Sequence, residues 1–311
     1  MRPPQVVGLG LATVDIVIRL ESMPRWERAG GFSDFAIQGG GMCGTAMVAA
    51  SRLGLSAGWV GTAGSDSAAE IKLGSLREEG VDVSRAVRRE GREKQIILVY
   101  VHESTGERVF AGMRGMGEEP LRPEELDRGY LTSADALLVD GCHPEAALQA
   151  ARWMRRAGRS VVLDAGATRS APSAAFRRLV EEAHVVISGS GFAEAATGLR
   201  DPVKAGTEIL KLGPEVFVQT QGAGGCLTVS ADGSFRTPAL PVAVVDTTGA
   251  GDTFHGAYLV GLTERWPLEQ TVLFASAAAA MSCRRLGGRS GIPHREAVLA
   301  FLAERGHPAE R

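Results

Sequence analysis

The hydrophobic pattern along this chain has two textures. From about residue 121 onward, short apolar runs of strand length (Ala136–Val139, Ser160–Leu163, Val185–Ile187, Val216–Val218) stand between amphipathic stretches such as Glu145–Ala157 and Pro202–Leu212. A bounded run of a few apolar residues reads as a buried strand, and a recurrence near 3.6 residues reads as a helix lying against it. Strands joined by crossover helices imply an α/β fold with a mainly parallel sheet covered on both faces. In such sheets the carboxyl ends of the strands face the ligand, and here those ends carry Asp140, His143 and Asp164.

The first third of the chain has more strand and less helix. Val6–Ala12 and Val14–Ile18 read as successive strand segments, and Gly30–Gln38 as another short strand. A helix pattern then covers Met42–Leu53, with Gly54 as its stop. Trp59 opens a strand that runs into a turn and a helix capped by Asp66. Lys94–His102 and Glu107–Gly112 are strands joined by a hairpin turn at 103–106. Gly8-x-Gly10 lacks a third glycine, since position 13 is Thr, and no helix pattern follows. That excludes a nicotinamide-binding reading.

The chain has 311 residues, 44% of them hydrophobic, which is ample for a large buried core. A formal charge of −2 gives no basis for nonspecific nucleic-acid binding. Cys43, Cys142, Cys226 and Cys283 lie far apart and form no C-x-x-C pair, so reduced thiols in a cytoplasmic protein are expected. The start, Met1-Arg-Pro-Pro, does not read as a signal peptide, and no apolar run reaches about 18 residues, so no membrane span is expected.

The chemistry concentrates in Asp246-Thr-Thr-Gly-Ala-Gly-Asp-Thr-Phe254. The apolar run Leu240–Val245 leads in and reads as a buried strand, and a small-residue helix pattern follows from about Thr253 to Leu262. Gly249 and Gly251 permit a tight turn that leaves bare N–H groups at a helix start, where an anion is favoured. Asp252 in that turn would repel a resting phosphate but suits a general base for a hydroxyl beside a phosphoryl group in transfer. Helix capping by Asp252 is the blander alternative.

This nine-residue string resembles the carboxy-terminal signature of the ribokinase/phosphofructokinase-B family of carbohydrate kinases. Other stretches extend the resemblance over nearly the whole chain. Gly40-Gly41 followed by a small-residue helix ending Arg52-Leu53-Gly54 is similar to the family's amino-terminal signature, with Thr45 where Asn is usual. Thr220-Gln-Gly-Ala-Gly-Gly225 is similar to its nucleotide loop, and Leu286–Pro293 to the loop that closes over the nucleotide.

The resemblance implies one ribokinase-like domain over 1–311, a three-layer α/β/α sandwich. A small β-sheet lid, from approximately 14–38 and 92–112, would lie over the sugar site. It implies an ATP-dependent sugar kinase with Asp252 as base and Gly249, Ala250 and Gly251 as the anion hole. Asp15, Gly40, Gly41 and Thr45 would hold the sugar. Thr220, Gly222, Gly225, Ser276 and Gly288 would hold ATP. Magnesium is implied as cofactor, although the positions of a family Asn-x-x-Glu motif hold Gly189 and Phe192 here. Potassium is implied as a candidate ion, Asp246 and Thr248 matching the beginning of its site, and lid pairing implies a homodimer. A nucleoside kinase of the same fold and a catalytically inactive sugar- or nucleotide-binding homologue stay open. The absence of G-x-x-x-x-G-K-[ST] excludes a P-loop kinase.

Overall fold

A computed structural model describes residues 3–307, so Met1 and Arg2 of the amino-terminal segment lie outside the described residues. The chain opens with β1 (Val6–Leu9), which Gly10–Ala12 separates from β2 (Thr13–Leu20). Then follow β3 (Asp34–Gly40), α1 (Met42–Arg52), β4 (Ala57–Val60), β5 (Thr62–Ala63), α2 (Ser67–Arg77), β6 (Val87–Arg88), β7 (Ile96–His102) and β8 (Arg108–Gly112). The alternating part comprises α3 (Arg128–Ser133), β9 (Ala136–Val139), α4 (Pro144–Arg156), β10 (Ser160–Asp164), α5 (Ala174–Glu182), β11 (Val185–Ser188), α6 (Phe192–Thr197), α7 (Pro202–Leu210) and β12 (Val216–Thr220). A hairpin of β13 (Cys226–Ser230) and β14 (Gly233–Thr237) precedes the helices α8 (Ala250–Thr263), α9 (Leu268–Ser282) and α10 (Arg295–Ala303).

The main sheet has the order β14-β13-β12-β11-β10-β9-β1-β4. It is parallel from β12 to β4 and antiparallel along the β13–β14 edge. Strand side chains alternate in face. Val6, Leu138, Val162, Ile187 and Val218 pack with α1, α2, α8, α9 and α10. Val7, Leu137, Val161, Val186 and Phe217 pack with α3 to α7. Two apolar layers thus enclose the sheet, which is the three-layer arrangement expected.

A second sheet, β3-β2-β7-β8, is built from the two strand-rich segments of the first third. Its ladder pairs Asp15 with Gln38 and Ile97, and Val17 with Ala36 and Val99, so these residues share one face. Val17, Val99 and Val101 form a small core on that face, against which Leu286 packs. The opposite face exposes Phe35, Ile37 and Val109, the last at 63%.

Two sequence expectations need correction. Leu240–Val245 is not a strand: Pro238 and Pro241 carry no N–H for a ladder, and the segment passes along the surface with Val244 exposed. Leu240 and Val242 pack on the core, and the segment's end is fixed by Val245 and Asp246 N–H groups donating to the Cys283 carbonyl (2.8 and 3.2 Å). The following helix starts at Ala250 rather than near Thr253, which puts Asp252 inside its first turn. Asp66 caps α2 as expected, accepting from Ala69 N–H at 3.0 Å.

Candidate active site

The carboxyl ends of β9, β10, β11 and β12 present Asp140, Asp164, Ser188 and Thr220 along one rim of the main sheet. The amino termini of α1 and α8 are mounted close by. Gly256 makes this possible: a Cβ there would stand 2.6 Å from Ala49 Cβ and 2.9 Å from Ala50 N, so α8 approaches α1 backbone to backbone.

Gly249 is the N-cap of α8 with φ of 72°, a left-handed value that side-chain-bearing residues rarely adopt. A Cβ there would also collide with the Gly288 carbonyl. The loop after α9 therefore stacks directly on the signature turn. Ala250 N–H donates to Thr247 O at 3.3 Å and Thr253 N–H to Gly249 O at 2.8 Å. The N–H groups of Gly249, Gly251 and Asp252 have no protein acceptor among the described residues. Gly251 is exposed, with open space where its side chain would be. Free amides at a helix start favour an anion. Of the three residues expected to form an anion hole, Ala250 has its N–H turned to Thr247 O, while the N–H groups of Gly249 and Gly251 are without a protein acceptor among the described residues.

The Asp252 side chain is partly buried at the same place. Burial pushes its carboxyl well above the usual range, and the charges of Asp164, Asp15 and Asp140 push the same way against Arg289. Asp15, on the inward face of the second sheet, is also raised, chiefly by burial. It accepts a hydrogen bond from the Thr13 hydroxyl. A Cβ on Gly40 would collide with the Asp15 carboxylate, so any larger residue there would displace that carboxylate. Gly41, with φ of 84°, begins α1 directly under Leu11 and Ala12.

Thr45 is 1% exposed, and its hydroxyl accepts from Arg289 Nε at 3.3 Å. It therefore supports the diglycine turn from behind. Arg289 was missed by sequence reasoning. It lies buried between Gly40 O (Nη2, 2.7 Å), Ser75 Oγ (Nη1, 3.0 Å) and Thr45, and burial pulls its pKa down to about 10. The resemblance covers its loop, but nothing in Gly-Gly-Arg-Ser-Gly shows where the arginine points.

Beyond β12, Gly222–Gly224 forms a 3-10 turn leading to β13, with positive φ at Gly222 (55°) and Gly225 (80°). Thr220 Oγ1 donates to Ser188 O at 3.2 Å, tying this turn to the end of β11. Ser276 Oγ donates back to Val272 O at 2.8 Å and lies beside Cys226. Asp246 is fully buried and braces the signature turn. Its Oδ1 accepts from Thr248 N–H (2.8 Å) and hydroxyl (2.7 Å), and Oδ2 from Gly287 N–H (2.7 Å). A carboxylate offers about four lone-pair positions, so it has one to offer a cation.

Asp140 and His143 have structural partners. Asp140 accepts from Leu11 and Cys142 N–H (2.7 and 2.9 Å), and burial raises it to about 6. His143 is buried, accepts from Leu121 N–H at 3.1 Å, and is held down to about 4 by burial. The 187–194 segment carries no side-chain oxygen at Gly189 or Phe192; Glu194 points to Arg200 at 3.8 Å. All four cysteines are free thiols. Among the described residues no helix is long and apolar enough to cross a membrane.

Comparison with known proteins gives a consistent answer. A family model described as pfkB family carbohydrate kinase matches residues 4–295. The 5-dehydro-2-deoxygluconokinase of Shouchella clausii is 26% identical, over 96% of this chain and 95% of its own. The ATP-dependent ribose-1-phosphate kinase of Halopiger xanaduensis is 26% identical, over 97% of this chain and 99% of its own. The crystal structure of a putative ribokinase from Agrobacterium tumefaciens superposes with a TM-score of 0.86 at 26% identity, covering 99% of this chain and all (100%) of that one.

Proposed function

The chain belongs to the PfkB family of carbohydrate kinases, phosphotransferases with an alcohol group as acceptor, and from that premise we propose that it moves the γ-phosphate of ATP to a hydroxyl of a sugar or sugar derivative. The observation that carries this reading is the first turn of α8. One helix start holds a carboxylate with raised proton affinity beside amides without protein partners. A base and an anion cradle together are what phosphoryl transfer to an alcohol requires.

Asp252 takes the proton of the acceptor hydroxyl as that oxygen bonds to the γ-phosphorus. The bond from γ-phosphorus to the bridging oxygen breaks, ADP leaves, and the proton stays on Asp252. The N–H groups of Gly249, Gly251 and Asp252 donate to the phosphoryl oxygens as charge shifts among them. Asp15 accepts from sugar hydroxyls, while Gly40 and Gly41 let the sugar lie against bare backbone. Gly222, Gly225, Thr220 and Gly288 line the nucleotide side, with Ser276 toward the base.

Magnesium on the triphosphate would supply charge neutralisation; Gly189 and Phe192 offer it no side-chain oxygen, so phosphate oxygens and water would hold it. Asp246 has a free lone pair for potassium, and Thr248 lies in the same turn. The exposed apolar face around Phe35, Ile37 and Val109 supports a homodimer paired through the second sheet, which the oligomeric state of a Phe35→Glu variant tests. The free thiols support a cytoplasmic location.

The direct test is a thermal-shift panel of sugars, sugar acids and nucleosides with a nonhydrolysable ATP analogue, followed by ADP release for each hit. Sugar-dependent ADP release supports the proposal. Release with nucleosides alone would reassign the acceptor, and binding without release would make the protein an inactive homologue.

A further inference from the structure

Lys72 lies on the inner face of α2 with Ala69, Leu73 and Leu76, and it is fully buried. Lysine is rarely buried to that extent unless it is paired. Here its Nζ donates to the Thr62 carbonyl at 2.9 Å and to Gln95 Oε1 at 2.8 Å, and it meets Glu93 Oε2 at 2.5 Å. An ammonium has three hydrogens to donate, and each finds an acceptor. Glu93 is buried and filled as well. Its Oε2 also accepts from Gly64 N–H (3.0 Å) and its Oε1 from Gln95 N–H (2.8 Å). The Trp59 ring of β4 lies 5.9 Å from Nζ.

The place of this network matters more than its strength. Thr62 and Gly64 continue the chain from β4, the edge strand of the main sheet. Glu93 and Gln95 immediately precede β7 of the second sheet. The Gln95 carbonyl accepts from Val14 N–H at 2.9 Å, at the root of β2, and the next residue along β2 is Asp15. Lys72 therefore ties the edge of the main sheet to the point from which β2 and β7 depart. Arg289 does the same for β3 through the Gly40 carbonyl. A buried ion pair gains little stability over apolar side chains of equal volume, because desolvation offsets its attraction. What hydrogen-bonded charges add is a fixed direction.

We propose that Lys72 is a positioning residue for the acceptor: through Glu93 and Gln95 it sets the angle of the second sheet on the main one, and so the separation of Asp15 from Asp252. The inference rests on Asp15 holding the acceptor and Asp252 being the base. Without the network the second sheet samples several orientations, and only one brings both carboxylates to the same molecule. Apparent acceptor affinity then falls by the fraction of that competent orientation, while the complex, once formed, reacts as before. The turn at 220–225 belongs to the main sheet and keeps its geometry.

Lys72→Met alone would strand the Glu93 carboxylate in the interior, so the test joins it to Glu93→Gln, which keeps an acceptor for a backbone N–H and carries no charge. Hydrogen exchange of the ligand-free double variant should be at least about tenfold faster at Val14 and along the β2–β7 ladder, and unchanged in β9 and β10. With the acceptor found by ADP release, KM should rise about tenfold at unchanged kcat, as for a competent fraction of about one tenth. The Kd of the nonhydrolysable ATP analogue should stay within about twofold of the parent value. Unchanged exchange at Val14 would overturn the proposal. So would faster exchange with an unchanged acceptor KM, since the network would then be a fastening only. Equal losses for acceptor and ATP analogue, or faster exchange throughout β9 and β10, would mean general loosening and would also overturn it. Absence of turnover in the parent with every acceptor would sink the kinase reading and the acceptor role together; the exchange result, obtained without ligand, tells that failure from a failure of the joint.

Discussion

Arg289 reaches across 249 positions of chain to donate from Nη2 to the carbonyl of Gly40, 2.7 Å away. With its other bonds to Thr45 and Ser75, it fastens the loop that covers the signature turn to the diglycine that opens α1. Arg52 holds the same loop from its other end, donating to the carbonyls of Arg289 (2.8 Å) and Ile292 (3.0 Å).

Replacing Arg289 by Met should therefore destabilise the protein by about 3 kcal/mol, the scale for removing one side of a buried charged network. Urea unfolding should show a lower midpoint at unchanged slope. Arg289→Lys should not restore stability, because a single ammonium cannot reach three partners arranged around a planar fork.

Asp252→Asn should bind a nonhydrolysable ATP analogue and the acceptor sugar almost normally while turnover drops by at least about 100-fold, the usual scale for a positioned base. Steady-state kinetics beside calorimetry checks this, and near-normal turnover would remove Asp252 from its assigned role. In the parent enzyme turnover should fall as pH drops, with the limb above the ordinary carboxylate range because Asp252 is raised and its basic form does the work.

Asp15→Ala should weaken sugar binding far more than ATP binding, since Asp15 belongs to the second sheet and its carboxylate lies against Gly40 of the diglycine. A loss of about tenfold or more for sugar, equivalent to one or two hydrogen bonds to a charged group, is the expected size. Equal losses for both ligands would indicate a folding defect.

His143 predicts a slope in stability. Its folded pKa is depressed to about 4, so the unfolded chain binds its proton first as pH falls from the ordinary value of 6.5. The stability contributed by the neutral ring is complete above 6.5 and is lost between 6.5 and 4, a change of about 3 kcal/mol. Asp140, raised to about 6, slopes the other way, so the prediction concerns a difference between variant and parent. His143→Asn keeps an acceptor for Leu121 N–H and should lose stability less steeply over that range in thermal unfolding.

Much of this architecture could be read from local pattern. The strands Ala136–Val139 and Val216–Thr220 and the helix beginning at Met42 coincide with apolar runs bounded by turn residues, where propensity and burial agree. Leu240–Val245 misled because apolar content alone does not show whether a partner strand has room, and the two nearby prolines argued against one. The candidate site was legible where spacing within one segment defines it, as at Gly249–Asp252. Arg289 was invisible because its partners, Gly40, Thr45 and Ser75, are over 200 positions away. His255, buried on α8 three residues after Asp252, follows from the helix spacing, but its 3.5 Å approach to Asp164 at the end of β10 does not.

The contact of Gly256 with α1 gives the turns at 40–41 and 249–251 a common rigid mounting, whereas Asp15, Gln38 and Val99 belong to a separate sheet. Under the proposed function, redesign for new acceptors can therefore concentrate on that sheet at positions other than Asp15, whose charge reaches Asp252. A library varied at Ile97 and Phe110, with α1 and α8 held constant, would explore new preferences on one unchanged engine.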